Sequence, residues 1–214
     1  LLRAGYLSSE QILEKYRLRF VKKNLADTAI TQLIDITTSF TRLRETFLRK
    51  VRSSKGTNQQ NSRRLGLVTS LLAWSKYYIA WHTDNQQTAR EAAILFASMV
   101  QGEEATLQHV SLDFKEFDYG ARALLGIALC KDVMNDPAGA DPWFEELQDF
   151  TTWPAVRMQI PMWKFFLDID HKRWQKVLAQ MHSVDDMDKI LILRLAIVHA
   201  LEDPKTSTAE QVAS

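Results

Sequence analysis

Residues 118–154 read DYGARALLGIALCKDVMNDPAGADPWFEELQDFTTWP and contain the start signals of three successive helices. Asp118 precedes a run rich in Ala, Leu and Ile, which predicts a helix to about Asn135. Asp141-Pro142 then pairs a helix cap with a residue favoured in the first turn of the next helix. Trp153-Pro154 begins another helix, which Pro161 must kink or restart. The stretch therefore predicts helices joined by short turns.

The predicted helix starts recur at a regular spacing after residue 118. First helices begin near residues 118, 153 and 184, and second helices begin near 141, 171 and 207. Each interval of 30 to 36 residues holds two helices, which is typical of an array of helical hairpins. The last helix, which starts at the capping box Ser207–Glu210, is cut short by the chain end, so we expect the natural chain to continue.

Small and large apolar residues in this part of the chain resemble those of the tetratricopeptide-type α-solenoids, whose repeat is about 34 residues. The residues that carry the likeness are Leu125, Gly126, Ala128 and Leu129 in a first helix and Ala140 and Phe144 in a second. Pro161 departs from the pattern, since it stands where the family has a small residue. The resemblance covers residues 118–214 and implies a non-catalytic domain that presents a concave surface to a protein partner.

The first part of the chain predicts two amphipathic helices. A capping box at Ser8 and Gln11 predicts the start of the first. Asp27 is the expected cap of a second, longer helix that ends near Arg52. The apolar stripe of that helix follows a period close to 3.6 residues and comprises Ile30, Leu33, Ile34, Phe40, Leu43, Phe47 and Val51.

Residues 53–62, SSKGTNQQNS, carry no apolar side chain and predict a flexible loop. Ser62 is the expected cap of a helix to Trp81 that is apolar nearly all round, as a central helix should be. Asp84 is expected to start the partner of that helix, and Gly102 to end it.

Composition favours an all-α fold of stacked antiparallel helix hairpins. The 214 residues include only 7 Gly and 5 Pro, too few for the frequent turns of a sandwich or barrel. A hydrophobic content of 46% excludes a disordered chain. We expect basic N-terminal helices at residues 1–52 and a helical-hairpin array at residues 62–214 that is continuous with them.

Cysteine content and hydropathy favour an intracellular protein, either cytoplasmic or nuclear. Cys130 is the only cysteine, so no intrachain disulfide can form, and the chain contains no N-x-[ST] glycosylation site. The most apolar run, Leu65–Trp81, contains Lys76 and is shorter than the ~20 residues of a membrane span. We therefore expect no membrane-spanning segment.

The sequence contains no convincing pattern of an active site. Asp185, Asp186 and Asp188 are similar to the magnesium-binding clusters of all-α isoprenoid synthases, but no second cluster accompanies them. Acidic residues in a first helical turn also complement the helix dipole. The five histidines lack zinc spacing, no motif supplies Cys130 with a base, and no glycine-rich phosphate loop is present. We therefore expect no catalysis, metal or cofactor.

Charge is segregated along the chain. Residues 1–64 hold 14 Lys and Arg against 5 Asp and Glu, a local charge of +9, whereas the remaining 150 residues carry −8. Within residues 42–64 only Glu45 interrupts the basic residues, and Arg42, Arg49 and Arg52 lie opposite the apolar stripe. The candidate partner-binding residues are Arg42, Arg49, Arg52, Lys55, Arg63 and Arg64.

Four interpretations of these basic residues are open: a solvated helix face, an acidic protein partner, nucleic acid or an anionic membrane surface. Nucleic acid fits the electrostatics, but no recognition motif accompanies the charge, and the acidic remainder would repel a spreading polyanion. The favoured hypothesis is a protein–protein interaction scaffold or adaptor, plausibly a subunit of a larger complex. The alternative is a nucleic-acid-associated factor that uses the basic N-terminal third.

Overall fold

The computed structural model describes residues 1–18, 20–53, 59–100, 118–149 and 153–171, together with 173, 176, 177, 179, 190 and 193–195. Eight helices and no strand occur among these residues, so the predicted all-α fold is confirmed. The helices are α1 (Leu2–Arg17), α2 (Lys23–Ser53), α3 (Gln59–Thr83), α4 (Gln86–Val100), α5 (Asp118–Val133), α6 (Pro137–Asp149), α7 (Pro154–Arg157) and α8 (Ile160–Asp170). None of the described helices is long and apolar enough to cross a bilayer.

Helices that follow one another in the chain pack side by side, which confirms the predicted stack of antiparallel hairpins. Each helix from α1 to α5 contacts the next one. A second set of contacts joins α1 to α3 and α3 to α5. We call α1, α3 and α5 the inner layer, because these alternate helices also meet one another across the stack.

Helix α3 is the centre of the stack, as its nearly uniform apolarity predicts. Its Trp74, Tyr77 and Tyr78 side chains are fully buried. The ring of Trp74 packs edge-on against Phe96 of α4, with the ring centroids 5.2 Å apart. Aromatic pairs of this kind add to the free energy gained by burying their apolar area, so the α3–α4 contact is a strong one.

Three helices begin earlier than their predicted caps. Helix α1 begins at Leu2 instead of Ser8, α2 at Lys23 instead of Asp27, and α3 at Gln59 instead of Ser62. In α1 and α2 the turn before the expected cap belongs to the helix because it has packing of its own. Tyr6 packs against Phe40 with ring centroids 6.5 Å apart, and Ala26 is fully buried. Asp27 forms ion pairs with Lys23 and His82 instead of capping α2.

The residues that cap α4 and α6 differ from those that the sequence predicts. At α4 the Asn85 side-chain oxygen, rather than Asp84, accepts the backbone N–H of Thr88 at 3.0 Å. At α6 the carboxylate of Asp136, rather than Asp141, accepts the backbone N–H of Gly139 at 3.0 Å. Helix α6 starts at the earlier Asp-Pro pair because one buried stripe runs through Ala140, Phe144 and Leu147.

The later predictions are confirmed in part. Pro161 lies in the first turn of α8, two residues after the turn that ends α7, so the helix restarts as predicted. Asp170 is the last residue of α8, so the helix predicted near residue 171 begins later, and Lys176, Val177 and Ala179 are helical. Of the helix predicted to begin near residue 184, residues 190 and 193–195 are described and are helical. The start of that helix, the helix predicted from Ser207, and Gly102 lie outside the described residues.

The predicted loop at residues 53–62 is helical at both ends. Helix α2 ends at Ser53, and α3 begins at Gln59, before the apolar run that starts at Leu65. Both helices therefore extend into the segment that was predicted to be a loop. Residues 54–58 lie outside the described part of the chain.

Gly126 allows α5 to approach α4 closely. A Cβ atom built at Gly126 would lie 2.5 Å from the Phe96 ring, and that ring is itself buried against Trp74. The small residue that the sequence analysis noted at this position therefore has a packing role.

We predict that Gly126→Ala destabilises the protein although alanine favours helices. Overpacking costs about 1–3 kcal/mol, and the gain in helix propensity offsets roughly 1 kcal/mol of it. Urea unfolding should show a net loss, and the loss should be smaller when Phe96 is also replaced by Leu. Equal or greater stability of Gly126→Ala alone would contradict the close approach of the two helices.

Candidate partner-binding surface

The buried guanidinium of Arg17 joins the inner layer to α8. Its Nη1 atom donates to the Tyr77 hydroxyl at 3.1 Å, and Nη2 donates to the Asp170 carboxylate at 3.4 Å. The guanidinium carbon lies 4.3 Å from the ring centroid of Trp81 and 4.9 Å from that of Trp163. Planar guanidinium groups stack on aromatic faces in this way, so one side chain holds three helices together.

The electrostatics of this cluster keep its groups in their ordinary charge states. Burial disfavours the charge of Arg17, but Tyr77 and Asp170 more than offset that effect, so the pKa of the guanidinium is raised. Burial raises the pKa of Tyr77 to about 12. Arg17 is therefore charged and Tyr77 neutral at physiological pH.

A second buried pair lies further along α1. The Arg122 Nη2 atom of α5 donates to the Glu10 carboxylate at 3.0 Å, and the Tyr6 hydroxyl donates to the same oxygen at 2.8 Å. The Arg122 guanidinium also lies 5.0 Å from the Trp74 ring centroid. The inner layer is therefore filled at these residues by the protein's own side chains.

Five of the six candidate basic residues lie at one end of the α2–α3 hairpin. Arg42, Arg49 and Arg52 are exposed on the last turns of α2, and Arg63 and Arg64 are exposed near the start of α3. We call these five residues the basic tip. Lys55 lies outside the described residues. The chain reversal between α2 and α3 thus brings together arginines that are up to 22 positions apart in the sequence.

Most of the charge on the basic tip is not neutralised by the described residues. Arg42, Arg49, Arg52 and Arg64 form no ion pair within the part of the chain that the structure describes. Three lysines elsewhere are paired with carboxylates, as Lys23–Asp27, Lys76–Glu91 and Lys131–Asp136. The tip therefore presents a concentrated positive field to solvent.

Arg44 is a further residue of this region that the sequence analysis did not select as a binding residue. Its side chain is half-buried, and its Nε and Nη2 atoms are buried with no hydrogen-bond partner among the described residues. Burial and, to a smaller extent, the charge of Arg52 lower the pKa of Arg44. A half-buried charge of this kind is unfavourable, which marks Arg44 as a cation that an incoming carboxylate would stabilise.

The apolar stripe of α2 continues past the end of α1. Tyr6 packs on Phe40, and a Cβ atom at Gly5 would touch Ile36, so Leu2 lies near the level of Phe40. Beyond that level Leu43 is 36% exposed, and Phe47 and Val51 are half-buried. The sequence analysis placed all three on the apolar stripe of this helix. They are incompletely covered because α2 has 31 residues and α1 has 16.

A cavity of about 410 Å³ lies between α5, α6 and α8. Its charged lining residues are Asp132, Asp141, Asp168, Lys164, Arg173 and Lys176. Asp168 forms an ion pair with Arg173 at 2.7 Å, and Asp132 lies 2.8 Å from His171. Positive and negative groups are balanced in this lining, so the cavity has no evident preference for a charged ligand.

The remaining reactive groups do not form a second site. Cys130 is fully buried, and burial raises the pKa of its thiol. In the described residues no three His, Cys, Asp or Glu side chains are placed to hold a metal ion. The aspartates at 185, 186 and 188 lie outside these residues.

We predict that Arg17→Gln lowers the free energy of unfolding by about 2–3 kcal/mol, less than the loss of a fully buried pair because the Asp170 side chain is 30% exposed. Lys15→Gln, an exposed change on the same helix, should cost less than about 0.5 kcal/mol. Chemical denaturation of the two variants checks this, and equal small losses would show that Arg17 does not hold the helices together.

No protein-family model, curated protein or solved structure matches this chain. The basic tip must therefore be interpreted from its own chemistry.

Proposed function

We propose that this chain is a non-catalytic interaction domain that binds an acidic protein partner through the basic tip. The observation that carries the proposal is the group of exposed arginines at one end of the α2–α3 hairpin, most of them without an ion-pair partner in the described chain. Charges of this kind steer an oppositely charged partner and fix its orientation.

The inner layer is a less suitable binding surface than the tip. Arg17, Glu10 and Arg122 are engaged with groups of the same chain, and Tyr77 and Tyr78 are fully buried. A partner segment there would have to break these buried contacts. A partner at the tip would displace only water and counterions.

The charge distribution favours a protein over a nucleic acid. Helix α6 presents Asp141, Glu145 and Glu146 to solvent, and residues 65–214 carry −8 in total. A long polyanion would meet this negative charge as it spread beyond the tip, whereas a compact acidic segment would not.

We predict that changing Arg42, Arg49 and Arg52 together to Gln weakens binding to immobilised poly-L-glutamate by about tenfold at low salt, equivalent to roughly 1.4 kcal/mol. Stability should change by less than about 0.5 kcal/mol, because all three side chains are exposed. The difference in affinity should shrink as salt screens the wild-type contact. Biosensor titrations and thermal melts measure the two properties separately.

The matched control changes Arg3, Lys15 and Arg90 to Gln, which removes the same charge from exposed positions outside the tip. Equal losses in both variants would mean that net charge alone attracts the ligand. Unfolding of the tip variant would contradict its solvated position. Tighter binding to a 20-base-pair DNA duplex than to poly-L-glutamate, with the same variant abolishing it, would favour the nucleic-acid alternative.

A further inference from the structure

The α2 surface beyond Phe40 combines an apolar ridge with positive charge on both sides. Ile36 and Phe40 form the part of the ridge that α1 covers, and Leu43, Phe47 and Val51 continue it for three further turns. The spacing of four and three residues between Ile36, Phe40, Leu43 and Phe47 is the spacing by which one helix packs along another.

Two basic side chains flank the middle of this ridge. Lys50 lies on one side, with its Nζ atom 5.6 Å from the ring centroid of Phe47. Arg44 lies on the other side, three residues before Phe47, and carries the partnerless Nε and Nη2 atoms. A ligand that follows the ridge therefore meets cations along both of its edges.

We infer that the partner element is an acidic amphipathic helix that lies on α2 in line with α1, with its apolar face on Leu43, Phe47 and Val51 and a carboxylate on Arg44. This inference rests on the proposed function, since it takes the partner that binds this end of the α2–α3 hairpin to be acidic. Acidic residues on either side of an apolar stripe complement both the ridge and its edges. A carboxylate beside Arg44 offsets the charge of this half-buried cation.

The apolar ridge favours this ligand over other polyanions. A DNA duplex neutralises arginines but offers no apolar surface to cover Leu43 and the exposed edges of Phe47 and Val51. An unstructured acidic chain has the charge, but it cannot place apolar side chains at four-residue intervals along one line. Of these three ligands, only the acidic amphipathic helix complements both the apolar ridge and the basic side chains along its edges.

The test uses a synthetic 18-residue peptide with Leu at helical spacing and Glu elsewhere, and a scrambled peptide of the same composition. Leu43→Asn should weaken binding of the first peptide by about tenfold. Leu25→Asn is the matched control, because Leu25 lies on the same side of α2 five turns away and is 47% exposed. The control should bind like the wild type, and the scrambled peptide should bind weakly to all three proteins.

A second variant, Arg44→Met, separates binding from folding. It removes a half-buried cation whose buried donors have no partner, so the melting temperature of the free protein should be equal to or higher than that of the wild type. Affinity for the amphipathic peptide should nevertheless fall severalfold. A lower melting temperature with unchanged affinity would show that Arg44 has a structural role only, and it would overturn its assignment to the binding surface.

The outcomes distinguish this inference from the proposed function. Equal binding of the two peptides, with Leu43→Asn harmless and the triple Gln variant defective, would overturn the amphipathic helix and leave an acidic partner of another shape. Failure to bind the amphipathic peptide while poly-L-glutamate still binds would do the same. Loss of binding to every acidic probe would overturn both proposals. Preferential binding to the DNA duplex or to anionic vesicles would also overturn them and would identify the partner as a nucleic acid or a membrane surface.

Discussion

The fold depends on how α1 is held against helices that lie far from it in the chain, and the buried Arg17 guanidinium is the main contact that does so. A charged group in the interior persists only where hydrogen bonds and an opposite charge replace water. Tyr77 and Asp170 supply these, and the rings of Trp81 and Trp163 cover the guanidinium faces. Residues 153 positions apart are thereby fixed to each other.

This contact makes the stack different from an open solenoid. In an open array each hairpin contacts only its neighbours, and a continuous groove remains between the inner helices. Here α1 contacts α8, and Arg194 donates to the backbone oxygen of Leu18 at 3.0 Å. The inner layer is therefore occupied by contacts of the chain with itself. The proposed binding surface is on the part of α2 that extends beyond α1 by about 20 Å, given a helical rise of 1.5 Å per residue.

The sequence predicted those features that depend on local chemistry. The 3.6-residue period and the scarcity of Gly and Pro predicted an all-α stack, and the uniform apolarity of residues 65–81 predicted that α3 is central. The ends of the helices were less predictable, because neighbouring residues such as Asp84 and Asn85 carry equivalent capping groups and packing decides between them.

Features that depend on tertiary distance could not be predicted from the sequence. Nothing in the spacing of Arg17 and Asp170 indicates that they meet. The candidate arginines were recognisable from charge alone, and five of them lie together at the basic tip. Arg44 was not selected, since its value to a ligand comes from its partial burial, which the sequence does not reveal. The lengths of α1 and α2 explain why Leu43 is exposed, and the starts of α1, α2 and α3 all lie earlier than their capping residues indicated.

Amide hydrogen exchange with and without the acidic amphipathic peptide is the most direct test of the claim that binding occurs at the end of the α2–α3 hairpin and leaves the inner layer undisturbed. The account predicts slower exchange confined to residues 41–53 and 59–66, with no change in α1, α5 or α8. Slower exchange around Tyr77, Arg122 and Asp170, with none at the tip, would contradict it and would place the partner in the inner layer instead.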